Sequence, residues 1–170
     1  LNVLAPGWKR CADCPPIVAA DPLTLISPLK SNERVTFNVT SLATFFLGSG
    51  WSKSEPWGTW SEGSESQIIF RPEAPVRSFV LEANALIAPS HTEQGLEVIV
   101  NDVPVLSTRL RKPEANVVSV DLPAEVQQRI EREGVLVIRF QHADAVSPRA
   151  LGMGLDPRKL AIGIRALTLH

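Results

Sequence analysis

The sequence predicts an all-β protein, an antiparallel β-sandwich with one short helix. Three observations lead there. Short segments that alternate apolar and polar residues recur along the chain. Gly, Pro, Asn and Asp turn signals separate them at a spacing of roughly ten residues. Only Pro123 to Gly134 has helical character, and no alternation of strand-length and helix-length patterns supports a parallel sheet. The 170 residues suit one domain with one core.

Residues 1–32 carry Pro6, Pro15, Pro16, Pro22 and Pro28. That density removes backbone donors and fixes φ, so this part is expected to be an irregular arm packed on a body spanning residues 33–170, with Trp8 as its anchor. Cys11 and Cys14 are the only cysteines, and Pro15-Pro16 follows at once. Two cysteines cannot close a four-Cys zinc site, and the nearest histidine is His91. A surface turn holding two thiols or a short-loop disulfide is the expectation, and no cofactor or metal is implied.

Arg34 to Thr40 alternates, with Val35, Phe37 and Val39 expected on one buried face. Leu42 to Leu47 is a short apolar run that brings the chain to Gly50–Gly63. This stretch holds three of the four tryptophans, Trp51, Trp57 and Trp60, among glycines, serines and Pro56. Such a composition reads as a shaped loop that interrupts the strands. Beyond it, strands are expected at Ser66–Phe70, ended by Pro72, and at Arg77–Leu86, with Phe79, Leu81, Ala83 and Ala85 on one side. Leu96–Val100 and Val103–Leu106 flank Asn101-Asp102, two residues that tolerate positive φ, so a tight hairpin is predicted. Asn116–Leu122 places Val118, Val120 and Leu122 together. The helix follows, opened by Pro123, closed by Gly134 and striped by Val126 and Ile130. Val135–Phe140 is the most apolar strand and is expected in the middle of its sheet. Leu160–Leu169 is the last.

A net charge of −1 provides no basic field for nucleic acid and no polybasic membrane patch. The longest apolar runs fall far short of the ~18 residues a membrane span needs. The opening Leu-Asn-Val-Leu lacks an initiator Met and a signal pattern, so a piece of a longer protein with targeting segments upstream is expected.

Two constellations could carry chemistry. In the Trp loop, an indole face could stack on a pyranose while a carboxylate bonds its hydroxyls, for which Trp57, Trp60 and Glu55 are suited. The competing reading makes Trp51 and Trp60 core plugs and leaves Trp57, between Pro56 and Gly58, as the ring facing solvent. The second constellation is the long polar loop between the last two strands, which contains His142, Asp156 and Arg158. Arg158 could fork onto Glu55, onto a ligand, or onto Asp156 to fix the turn. Known nucleophile elbows, zinc motifs and phosphate loops are absent from the sequence. A carboxylate pair of the glycosidase type depends on the fold and stays open.

The motif Gly-Trp-Ser-x-x-Glu-Pro-Trp-Gly-Thr-Trp-Ser-Glu-Gly at 50–63, with Ser147-Pro148, Leu151-Gly152 and the run Asp156 to Ile164, resembles a C-terminal module of unassigned function in bacterial envelope proteins. These include glycosyltransferases and phosphoglycerol-transferase-like membrane proteins. The resemblance covers roughly 37–169. It implies a jelly-roll-like sandwich similar to carbohydrate-binding modules, on the periplasmic side of the inner membrane and without catalytic residues of its own. Carried over residue by residue, it marks Trp51, Glu55, Trp57, Gly58, Trp60, Asp156 and Arg158. Thr59 and Lys159 stand where the family more often has Arg, which disfavours a strongly anionic ligand. The expected partners are a glycan or oligosaccharide and the upstream domains of the parent membrane protein, with no nucleic acid and no membrane insertion by this chain. The expected ligand set is Trp57, Glu55, Trp60, His142, Asp156 and Arg158. The alternatives are a module that orients a membrane-bound transferase without binding sugar, and a free-standing hydrolase or transferase.

Overall fold

The computed structural model describes residues 28–170. The expectations for Trp8, Cys11 and Cys14 therefore lie outside the described residues, as does most of the arm. Its last residues are held by the body. Leu29 is buried and bridges Pro72, its N–H donating to the Arg71 carbonyl at 2.9 Å.

Among the described residues, nine strands form two antiparallel sheets. They are β1 (Arg34–Thr36), β2 (Thr59–Glu62), β3 (Glu65–Phe70), β4 (Ser78–Ala85), β5 (Gln94–Val100), β6 (Val103–Leu110), β7 (Asn116–Asp121), β8 (Leu136–Gln141) and β9 (Leu160–Leu169). The five-stranded sheet runs β1-β9-β4-β7, with β2 also pairing β9 on the edge that β1 occupies further along. The four-stranded sheet runs β3-β8-β5-β6, so β8 is interior, as its apolar sequence predicts.

Alternation puts one face of each strand in the space between the sheets. Phe79, Leu81, Ala83 and Ala85 of β4 meet Ile68 and Phe70 of β3, Leu136, Ile138 and Phe140 of β8, and Ile162, Ile164, Leu167 and Leu169 of β9. In the last strand the buried positions change parity. The register explains it: Ala83 pairs Ile164 but Glu82 pairs Ala166, so Arg165 is an extra, bulged residue.

Asn101 and Asp102 have φ of 43° and 68°, the paired positive values of the predicted two-residue hairpin. Asn101 also clamps its surroundings. Its Nδ2 donates to Glu133 Oε2 at 3.0 Å and to the Val135 carbonyl at 2.9 Å, and its Oδ1 accepts from the Val137 N–H. The helix α1 (Ala124–Glu133) ends at Gly134, φ 67°, and buries Val126 and Ile130.

Two elements differ from the sequence reading. The first strand stops at Thr36. Phe37 is fully buried, but Val39 is 53% exposed, because Asn38 Oδ1 accepts from the Thr40 N–H and turns the chain. Ser41 then caps a 3-10 turn over Leu42–Phe46, within the short apolar run that leads to the Trp loop. The Trp loop also contains a strand, β2, which aligns with β9 rather than breaking the sheet.

Candidate functional site

The chain reverses tightly at Glu55-Pro56-Trp57-Gly58. The Glu55 N–H donates to the Gly58 carbonyl at 2.8 Å and the Gly58 N–H returns to the Glu55 carbonyl at 3.3 Å. Pro56 presets the first central φ of such a turn. Gly58 lets the loop backbone rest on β9, since a Cβ there would overlap the Ile164 carbonyl.

The turn delivers Trp57 onto the outer face of the five-stranded sheet. Trp60, Gly163 and Asn84 pair directly across β2, β9 and β4, so they form one rung on one face. Ile162, Ile164, Ala83 and Ala85 point to the core, which fixes this rung as outward. Gly163 leaves bare backbone in the middle of the rung. The Trp57 indole lies over it, where a Cβ would collide with Trp57 Cη2 and crowd Trp60 Cε3. The two indoles meet edge to face, centroids 5.3 Å apart at 72°. Glu55 Oε2 accepts from Trp57 Nε1 at 2.8 Å and sets the ring's rotation.

Trp57, Trp60, Asn84, Glu114 and Arg165 line a shallow hollow of about 360 Å³. Glu114 is brought there by the loop before β7, whose Pro113 carbonyl accepts from the Ala85 N–H at 3.0 Å. The bulge turns Arg165 outward two residues after Gly163, within the field of Glu82. Among the described residues, the side chains of Arg165 and Glu114 make no hydrogen bond and no ion pair. Asn84 Oδ1 is shielded from solvent and accepts no hydrogen bond within the protein. Asn84, Glu114 and Arg165 were not among the sequence candidates. The available signal was parity: Asn84 shares the outward face of Glu82 and Arg165 that of Gly163, whereas Glu114, in a loop, carried none.

Trp51 is the core plug that the sequence reading allowed. Its ring meets Phe140 edge-on at 6.1 Å and its Nε1 donates to the Gln67 carbonyl at 2.7 Å. Trp60 does not share that role, because it is half-buried on the outer face. Asp156 and Arg158 pair with each other. Arg158 Nη2 reaches Asp156 Oδ2 at 2.5 Å, Nε reaches both oxygens, and the Arg158 N–H donates to Oδ1 at 2.9 Å. The guanidinium beside it holds the Asp156 carboxyl below the usual carboxylate range. This pair fixes the turn, and Arg158 also feels Glu62 and Glu55, which puts it at the same end of the molecule as the Trp loop.

His142 is a correction to the expected ligand set. It is fully buried, its Nε2 lies 3.2 Å from Ser66 Oγ, and its Nδ1 has no partner. Desolvation pushes its pKa down to about 4, so the ring is neutral at pH 7 and out of reach of a surface ligand. Among the described residues, no group of three or more His, Cys, Asp or Glu could hold a metal ion, and no helix is long and apolar enough to cross a membrane.

Fold and surface together define a two-sheet antiparallel β-sandwich with an aromatic hollow on one outer face. No family model matches the chain, and no curated protein matches it. Solved structures do. It is similar to a carbohydrate-binding module, CBM36, in complex with calcium and xylotriose, at 8% identity and a TM-score of 0.45, over 81% of this chain and 99% of that one. A family two carbohydrate esterase from Clostridium thermocellum in complex with cellohexaose matches over 81% of this chain and 31% of its own, at 11% identity and a TM-score of 0.43. An acetyl xylan esterase from the rumen bacterium Butyrivibrio proteoclasticus matches over 87% of this chain and 30% of its own, at 9% identity and 0.39.

Proposed function

We propose that the chain is a non-catalytic carbohydrate-binding module that takes a sugar on the Trp57–Trp60 hollow. One observation carries the reading. Two indoles are seated in fixed orientation over a bare stretch of sheet, and a carboxylate, a guanidinium and an amide without protein partners ring the same opening. A pyranose offers the complement: C–H groups for an indole face and hydroxyls for Asn84, Glu114 and Arg165. Glu55 acts by orienting Trp57. Among the described residues, the titratable groups with shifted pKa are an enclosed histidine and two surface ion pairs, and none of them lines the hollow. That supports binding over chemistry.

In the wider reading, the module is an extracytoplasmic accessory part of a bacterial glycan-handling membrane protein, as the Trp-loop resemblance suggests. Single sites of this kind bind weakly, and tethering beside an enzyme would supply effective concentration. The second reading is a structural module that orients such an enzyme without binding sugar. The exposed Leu42 and Phe45 favour it, as large apolar side chains available for contact with another domain.

Intrinsic tryptophan emission during titration with bacterial β-glucan and other polysaccharide fragments separates the two. A saturable change that Trp57→Ala abolishes while the fold is retained is the expected result. No response to any fragment would leave only the structural reading.

A further inference from the structure

We infer that the opposite outer face, on the four-stranded sheet, holds a second and independent glycan site. It would take an uncharged oligosaccharide lying across the strands. The register builds it. Glu65 pairs Gln141, Gln141 pairs Glu97, and Glu97 pairs Ser107, so four polar side chains stand in one rung across β3, β8, β5 and β6. At a strand spacing of about 4.8 Å the rung is about 14 Å long, the reach of several linked sugars. It lies in a groove of about 680 Å³, within the roughly 300–1,000 Å³ range of ligand pockets.

The walls are held in place. Asp144 folds over β5, its Oδ2 accepting from the Gly95 N–H at 2.8 Å and its Oδ1 from Gln94 Nε2. On the far side, Arg109 and Arg111 both reach Glu93, at 3.0 and 3.2 Å. One carboxylate offsets only one of the two guanidiniums, so this wall keeps a positive charge, while the floor carries carboxylates with open oxygens. Glu97 has no partner among the described residues, and Glu65 has only a long bond, 3.3 Å from Gln141 Nε2. A carboxylate with two open oxygens accepts from two adjacent hydroxyls at once. Among the described residues, no aromatic ring lines the groove, so hydroxyl recognition rather than stacking would hold the ligand. With Asp144, the two floor carboxylates outnumber the surplus guanidinium charge of the wall, which disfavours an anionic polysaccharide.

The groove differs from the Trp hollow in sheet, face and chemistry. Because the two outer faces point away from each other, one molecule would bridge two glycan chains. The test uses the whole chain with cellohexaose, laminarihexaose and xylohexaose, followed by calorimetry and by amide chemical shifts. For at least one hexasaccharide, two equivalents should bind, with shifts on Glu65, Glu97, Gln141 and Ser107. Glu97→Ala combined with Gln141→Ala should weaken the second equivalent tenfold or more and leave the tryptophan response intact. Trp57→Ala should do the reverse. A hexagalacturonate should leave the groove amides unmoved. Unmoved groove amides with all three neutral hexasaccharides overturn the inference whatever the tryptophans report, and so does binding that the double variant does not weaken. Groove shifts without a tryptophan response would sink the Trp57 reading and keep this one.

Discussion

His142 makes the stability of this protein depend on pH between about 4 and 6.5. The ring is completely enclosed, with one nitrogen near Ser66 Oγ and the other unpaired. Desolvation lowers its pKa from 6.5 to about 4, and the Asp144 charge offsets only part of that. The unfolded chain therefore binds a proton between pH 6.5 and 4 that the folded chain refuses. Stability is full above 6.5, falls as pH drops through the window, and stops falling below about 4 from this source. At about 1.4 kcal/mol per pH unit, the whole effect is about 3 kcal/mol, a large share of a typical domain's margin. The carboxyls of Asp156 and Glu82 are held down by donors from Arg158 and Arg34. Their stabilisation begins to fade only as pH falls through the ordinary carboxylate range, so the two losses separate. Urea unfolding at half-unit steps from pH 7.5 to 4 measures the slope directly. His142→Gln, which keeps polarity without a titrating proton, is expected to flatten it even if its stability is lower throughout. Equal slopes in both proteins would refute the argument, as would an imidazole titration by NMR near its ordinary value.

Two further outcomes follow from backbone positions. Gly163→Ala places a methyl group where Trp57 lies and should cost about 1–3 kcal/mol by overpacking. A red-shifted tryptophan emission and a lower melting temperature would show the rings displaced, and glycan binding at the hollow should fall with them. Asn101→Ala removes three side-chain hydrogen bonds at a residue with φ 43°. At roughly 0.5–1.5 kcal/mol each, the loss should be about 2–4 kcal/mol by urea midpoint.

The sandwich was legible wherever the two faces of a strand differ in polarity. β4 and β7 alternate cleanly because each has one face in the core and one in water, and the Asn101-Asp102 hairpin announced itself by turn chemistry. Legibility failed where a side chain overrode the pattern. Val39 continues the alternation of Val35 and Phe37, yet Asn38 takes the Thr40 N–H and turns the chain before Val39 can pair as a strand residue. His142 reads as part of a polar loop, and only the fold shows it sealed beside Ser66. The hollow was half legible. Its tryptophans are close in sequence, but Asn84 and Arg165 arrive through strand register and Glu114 through the loop before β7.

The two irregularities of β9 argue for function at this face on physical grounds. A central strand gains most from side chains that pack and from an unbroken ladder. Gly163 gives up the first and the skipped Arg165 gives up the second, in adjacent turns of the same strand. The bulge also serves the core, because skipping Arg165 turns Leu167 and Leu169 to the face that Ile162 and Ile164 fill, whereas Gly163 adds nothing to the interior. Outside, the glycine seats Trp57 against the sheet, and the same bulge turns a guanidinium toward the opening. A central strand that forgoes a side chain so that an aromatic ring can rest on its backbone shows the pattern expected of a binding site.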